Sequence, residues 1–296
     1  MPTEQPLSFL FVINPKAGGQ EKGSWQDAIK ARFEGQPHQF EVLETTGKDD
    51  LGRLKKRLAD LSPDRLIAVG GDGTLKLVAE AAIGKDVTIG MLPAGSANGM
   101  ASELSIPAAA EKALDVVLGD EVHKLDGIKI NGELSIHLSD IGLNAQLIQY
   151  FEQGESRGQL GYAKEILRTL KQHKTLPFTI TVDGKKHKRK AAMVIIANGR
   201  MYGSGVVLNE FGRLDDGKLE VIILRHISFF RILRCLILRK ATPGPQQEVL
   251  SGCHVKITTP ISTPFQVDGE FLGETHTVEA QVLPGALSIL VSPPQK

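Results

Sequence analysis

The chain has 296 residues, of which 41% are hydrophobic and 23% charged, with a net charge of +1. That length suits two domains better than one compact core, and the composition excludes a disordered chain. The near-neutral balance gives no electrostatic case for nucleic acid. The two cysteines, Cys235 and Cys253, make no disulfide framework, and no apolar run reaches transmembrane length.

The first 120 residues alternate between strand and helix signals. An apolar run at 7–13 predicts a strand, without a signal-peptide layout, and leads into Asn14-Pro15-Lys16-Ala17-Gly18-Gly19. A helix is expected over 24–34. The short strand Phe40-Glu41-Val42-Leu43 ends at Thr45-Thr46-Gly47, and Leu51, Leu54, Leu58 and Leu61 then recur at helical spacing. A buried strand at 65–69 enters Gly70-Gly71-Asp72-Gly73-Thr74, followed by a helix over 74–83. A strand at 87–92 runs into Pro93-Ala94-Gly95-Ser96-Ala97-Asn98-Gly99, and Pro107 opens a helix through about Leu118 that Gly119 stops. Strands alternating with helices predict an α/β, doubly wound parallel sheet. Ligands bind such sheets beyond the carboxyl ends of the strands, so the loops at 14–19, 45–47, 70–74 and 93–99 should converge on one crevice.

The loop at 70–74 carries the most chemistry. Its glycines allow close backbone approach, a helix start favours phosphate, and Asp72 adds a metal ligand or a base. It is not a Walker A loop, because the nearest approach, Gly18 to Gly23-Ser24, lacks the lysine. Nor does a Gly-x-Gly-x-x-Gly follow any candidate strand. Taken alone, the string also fits a tight turn capped by Asp72 or Thr74.

The texture changes near 123. Short strand candidates now alternate with the hairpin signals Asn131-Gly132, Asp183-Gly184, Asp216-Gly217 and Asp268-Gly269. These predict a mostly antiparallel β-sandwich over 123–284, interrupted by helices near 159–173 and 228–238, after an α/β domain over 1–122. A last strand, Leu287-Ser288-Ile289-Leu290-Val291, leaves open whether 285–296 completes the first domain. Asp268-Gly269-Glu270 alone reads as a hairpin turn. Lys185-Lys186-His187-Lys188-Arg189-Lys190 reads first as a solvated hairpin tip, ahead of a headgroup site. The basic, apolar stretch at 227–240 fits core packing ahead of a membrane face, and the histidines show no metal-ligand spacing.

Together the loops are far more specific. Asn14-Pro15-Lys16-Ala17-Gly18, Gly70 to Thr74, Leu92 to Asn98 and Val267-Asp268-Gly269-Glu270 occur in that order. Asp140 to Ala145, Ala197-Asn198-Gly199 and Leu214 to Leu219 accompany them. This set resembles the diacylglycerol kinase catalytic superfamily over nearly the whole chain. The resemblance implies a nucleotide-binding α/β domain, a β-rich lipid-binding domain, and ATP in a cleft between them. It implies that Gly70, Gly71, Asp72, Gly73 and Thr74 hold the ATP phosphates, with Asp72 at Mg²⁺ and the reacting hydroxyl. Asn14, Thr45 (or Thr46 in its place), Gly95, Ser96 and Asn98 would line the nucleotide site. Glu270 would be the base that deprotonates the lipid hydroxyl, and Asp126 a supporting carboxylate. The turn at Arg213, Asp216 and Lys218 would hold a structural Mg²⁺, partly through backbone carbonyls. The chain departs from many relatives at Lys76, Gly99 and Asn144.

The expected activity is transfer of the γ-phosphate of Mg·ATP to the hydroxyl of a diacylglycerol-like or sphingoid lipid. The alternatives are an NAD kinase-like phosphotransferase and a non-catalytic nucleotide-binding regulator. The expected partners are a lipid alcohol, a peripheral membrane contact and a homodimer, with no nucleic acid. The expected location is cytoplasmic, at or near the inner face of the membrane.

Overall fold

The computed structural model describes residues 5–17, 24–143, 145, 175–202, 206–207, 209, 212–225 and 247–293. The helices expected near 159–173 and 228–238, the stretch at 227–240, Gly18, Gly19 and Asn144 lie outside the described residues. The chain divides into two units, one of residues 1–125 with 285–296 and one of residues 126–284.

The first unit contains β1 (Ser8–Ile13), α1 (Ser24–Phe33), β2 (Gln39–Glu44), α2 (Asp50–Leu61), β3 (Arg65–Gly70), α3 (Asp72–Ala82), β4 (Thr88–Pro93), α4 (Gly99–Glu103) and α5 (Ala110–Leu118). β1 pairs in parallel with β2 on one side and β3 on the other, and β3 pairs with β4. Ser288 and Ile289, near the chain's end, add a further parallel partner to Thr88 and Ile89. All six residues of β3 are buried, as a parallel strand covered on both faces requires. β2 has only exposed and half-buried residues, as suits an edge. Phe9, Phe11, Phe33 and Phe40 interlock beneath it, with Phe33 edge-on to Phe9 at 5.0 Å. The order β2-β1-β3-β4 puts the topological switch point between β1 and β3.

Two sequence expectations shift here. The third helix begins at Asp72 rather than 74, because the Thr74 and Leu75 N–H groups already donate to the Gly71 carbonyl at 3.0 and 3.1 Å. The loop after β4 ends in the short helix α4, and Pro107 stays outside α5.

The second unit takes in most of β5 (Val122–Ile130), then β6 (Glu133–Ser135), β7 (Leu138–Gly142), β8 (Leu176–Val182), β9 (Lys185–Ala191) and β10 (Met193–Ala197). β11 (Met201–Tyr202), β12 (Val206–Val207), β13 (Leu219–Leu224), β14 (Gln247–Gly252), β15 (His254–Val267) and β16 (Glu270–Leu290) follow. It is a β-sandwich, as expected. One layer runs β14-β13-β10-β7 and then the second half of β15. The other runs β9-β8, the first half of β15, the middle of β16, β5 and β6. The register shift between Thr258 and Thr263 lets β15 serve both layers. Between them lies a core that includes Ile141, Phe178, Ile180, Val194, Val255 and Phe265. β10 is buried along its whole length because Met193 and Ile195 pack into a second apolar cluster on its other face.

The basic tract at 185–190 is a correction. It forms the edge strand β9 rather than a hairpin tip. The tip is Asp183-Gly184 alone, both left-handed at φ 44° and 81°.

Candidate active site

A cleft of about 570 Å³ opens at the carboxyl ends of the parallel strands of the first unit. Asn14, Lys16 and Ala17 line it after β1, and Thr45, Thr46 and Gly47 after β2. Gly71, Gly73 and Thr74 line it after β3, and Gly95 and Ser96 after β4. The ladders run one residue past the strands and hold these loops in place. The Asn14 N–H donates to the Val69 carbonyl at 3.0 Å, Thr45 to Ile13 at 2.9 Å and Ala94 to Gly70 at 2.9 Å.

Glycine is required at two positions by close approach. A Cβ on Gly70 would collide with the Thr74 hydroxyl, and one on Gly95 would lie 2.5 Å from the Gly71 Cα. The β3 and β4 loops therefore touch backbone to backbone. α3 starts from Gly71 with no side-chain cap, so the orphan N–H groups of its first turn meet the cleft that Gly71 and Gly73 line. An uncapped helix start of this kind favours an anion.

Asp72 and Asn98 act on the loops themselves. The Gly99 and Met100 N–H groups donate to the two Asp72 carboxylate oxygens at 2.8 and 2.9 Å, so Asp72 caps α4 and ties the β3 turn to it. Asn98, left-handed at φ 51°, accepts from the Gly95 N–H at 2.9 Å and donates to the Gly95 carbonyl at 2.7 Å. Asp72 adjoins Gly71 and Gly73, and Asn98 is bonded to Gly95, but Gly70, Asp72 and Asn98 are not themselves among the residues that line the cleft. Thr45 and Thr46 both reach the cleft, but they differ. The Thr46 hydroxyl is engaged with Asp50, Arg53 and the Lys48 carbonyl, whereas Thr45 makes no side-chain hydrogen bond among the described residues.

The second unit gathers the remaining motifs into one network. Asp126 is buried. Its carboxylate accepts the Gly217 N–H at 2.7 Å and its own N–H donates to the Leu214 carbonyl at 2.7 Å, which fixes the turn at 213–218. Asn198, also buried, donates through Nδ2 to the Asp126 and Ile136 carbonyls at 2.7 and 3.2 Å. Asp268 collects four donors, the Ser135 hydroxyl and the N–H groups of Ile136, His137 and Leu138, at 2.9 to 3.1 Å. Asp140 takes a hydrogen bond from the Gln266 amide, whose oxygen accepts the Gly269 N–H at 2.7 Å. Exposed Glu270 follows directly from this braced hairpin. In the turn, Arg213 pairs with Asp215 at 3.0 Å and Asp216 accepts the Lys218 N–H at 3.0 Å.

The family model of the diacylglycerol kinase catalytic domain matches residues 8–130. That of the YegS C-terminal NAD kinase beta sandwich-like domain matches residues 139–291. The chain belongs to the diacylglycerol kinase catalytic superfamily. A Staphylococcus haemolyticus (strain JCSC1435) protein named "Putative lipid kinase" is 27% identical over 252 residues, 81% of this chain and 80% of its own. A Staphylococcus aureus (strain MSSA476) protein of the same name is 27% identical over 237 residues, 77% of each. The "Crystal structure of a putative diacylglycerol kinase from Bacillus anthracis str. Sterne" has the same fold, with a TM-score of 0.78 over 98% of this chain and 99% of that one, at 22% identity.

Sequence reasoning missed some of what builds the site in this diacylglycerol kinase superfamily member. Asp50 lines the cleft and organises its β2 wall, accepting the Thr46 and Gly47 N–H groups at 2.8 and 2.7 Å. Burial raises its pKa, but these hydrogen bonds and Arg53 outweigh burial and hold the carboxyl below its ordinary value. An acid in the first turn of a helix suits the positive end of the helix dipole, a signal that could have been read. Gln266 carried no such signal, since its partner Asp140 lies 126 residues away.

Proposed function

We propose that the protein is an ATP-dependent lipid kinase. One observation carries the reading. A cleft at the ends of four parallel strands is lined by Asn14, Thr45, Gly71, Thr74 and Ser96, the residues that the family motifs assign to the nucleotide. The orphan N–H groups at the start of α3 bind phosphate oxygens there, and Thr45 offers a hydroxyl that makes no hydrogen bond among the described residues.

The carboxylate of Asp72 suits Mg²⁺. It accepts two N–H donors, and an ionised carboxylate has about four lone-pair sites. Among the described residues no group of three His, Cys, Asp or Glu could hold a metal ion. Mg²⁺ takes one or two protein carboxylates and fills its shell with phosphates and waters. When bound it would neutralise charge on the phosphates. Glu270, positioned by the Asp140–Gln266–Gly269 relay, takes the proton of the lipid hydroxyl. That oxygen forms a bond to the γ-phosphorus as the bond to the bridging oxygen breaks, and ADP leaves. Such a base contributes about 10²–10⁴-fold in rate.

Transfer of labelled phosphate from ATP to a total lipid extract, resolved by mass, tests this reading, with Asp72→Asn as control. Turnover is expected to fall at least about 100-fold while the fold survives. Unchanged turnover in Asp72→Asn would refute the assignment of Asp72. The description of the second matched domain favours one competing acceptor, NAD. Labelled NADP with no labelled lipid would replace the lipid reading. ATP binding without any product would point to a regulatory protein.

A further inference from the structure

The outer face of the sandwich layer that contains β9 carries charge the kinase reading does not use. Along β9, His187 and Arg189 are half-buried while Lys186, Lys188 and Lys190 are exposed. The ladder sets these three lysines opposite Thr181, Thr179 and Pro177 of β8. Thr181 and Thr179 in turn lie opposite Lys256 and Thr258 of β15, and Lys256 opposite Glu279 of β16. Lys129 of β5 shares a shallow depression of about 510 Å³ with Thr181, His254 and Lys256. A second depression, of about 600 Å³, is rimmed by Lys188, Lys190, Thr179, Thr258 and Pro260.

One sheet face thus presents five lysines against Glu279, on a chain whose net charge is +1. Glu279 pairs with Lys256 at 2.6 Å. Among the described residues, Lys129, Lys186, Lys188 and Lys190 have no ion-pair partner. Lysines on an edge strand deter strand-to-strand aggregation. That accounts for β9 but not for Lys129 and Lys256, which lie on interior strands. Ile261, next in sequence to Pro260 of the second depression, is 51% exposed at the bend of β15. The Thr259 and Thr263 hydroxyls, bonded to its carbonyl at 2.7 and 2.9 Å, hold that bend.

We propose that this face docks on an anionic bilayer, with lipid phosphates over the lysine rows and Ile261 entering the headgroup region. Charge complementarity carries the proposal. The choice of a bilayer over a nucleic acid rests on exposed Ile261, for which a phosphate backbone has no use, and in part on the lipid-kinase reading.

The test is co-sedimentation of the full chain, without nucleotide, with phosphatidylcholine vesicles and with phosphatidylcholine–phosphatidylglycerol vesicles. The protein should bind the mixed vesicles alone, and salt should weaken binding. Each lysine near an anionic surface contributes roughly fivefold, so Lys186→Ala/Lys188→Ala/Lys190→Ala should bind about 100-fold more weakly. Ile261→Ser should lose about tenfold while keeping the salt dependence. Lys55→Ala/Lys56→Ala on α2 should bind as the parent does. Undiminished binding by the triple-lysine variant overturns the proposal, as does failure of the parent to bind mixed vesicles. Retention on duplex DNA without vesicle binding overturns it in favour of a nucleic-acid surface. Phosphate transfer to detergent-dispersed lipid is read separately. It should survive in the triple variant, so failure of docking and failure of the kinase reading give different results.

Discussion

Among the described residues, Glu220 is a carboxyl that burial pushes well above its ordinary value. It is 5% exposed at the start of β13, with Oε1 3.4 Å from the Ser251 hydroxyl and Oε2 without a partner among the described residues. Burial first, and then the charge of Asp216, push its pKa up to about 7, against the opposing pull of Ser251 and Lys218. Below the ordinary value of 4.5 the folded and unfolded chains both carry the proton, and the site costs nothing. As pH rises from there to about 7 the unfolded chain ionises while the folded one does not, so stability falls and then levels off. The loss should be about 1–3 kcal/mol after allowing for solvent screening. Glu220→Gln should remove this part of the pH dependence, bringing the variant's stabilities at pH 5 and pH 8 closer together than the parent's. Urea unfolding of both proteins at those two pH values checks it, and an unchanged difference would show that Glu220 is hydrated when folded.

Among the elements, the hairpin between β15 and β16 is tied to β6 and β7 through one side chain. Asp268, left-handed at φ 50°, accepts three backbone N–H groups and one hydroxyl from residues 135–138. Asp268→Ala strands those donors, and the cost should be about 2–4 kcal/mol in the free energy of unfolding measured by urea denaturation. Turnover should fall with it, because Glu270 is two residues away. A loss below about 1 kcal/mol would mean that β6 and β7 hold the loop unaided. Such hairpins were legible as Asp-Gly pairs between apolar runs, and the parallel strands as uninterrupted runs such as 65–69. The convergence of the loops after β1, β2, β3 and β4 followed from the alternation of strands and helices, which puts all four at the carboxyl ends of parallel strands. What was not legible depends on distant partners. α4 is five residues long, too short for periodicity, and is capped by Asp72 from 27 residues upstream. The tract at 185–190 becomes a strand because alternate residues turn inward, where Arg189 meets Glu248 in a two-point ion pair 59 residues away. The stretch Thr258-Thr259-Pro260-Ile261-Ser262-Thr263 carries no sequence signal for the bend by which one strand serves two layers.

At the scale of the whole molecule the chain leaves the first unit at residue 125 and comes back at 285 to complete it. The returning segment is well anchored. Val291 donates its N–H to the Glu121 carbonyl at 3.0 Å, Lys124 donates to the Ser288 hydroxyl at 2.7 Å, and Ser288 and Ile289 extend the sheet past β4. Leu290 is fully buried over Gly90, where an added Cβ would lie 2.7 Å from Ile67, 3.2 Å from Val117 and 3.3 Å from Leu290. That packing leaves little room for the site to collapse, so Leu290→Ala should cost about 3 kcal/mol. The cost should fall on the first unit, since all three neighbours of Gly90 belong to it. Hydrogen exchange under native conditions reads this directly. Protection should drop for amides of β3 and β4 in Leu290→Ala, while amides of β10 and β13 keep theirs. Equal loss in both sets would show instead that the two units open as one cooperative body, with the returning strand coupling them.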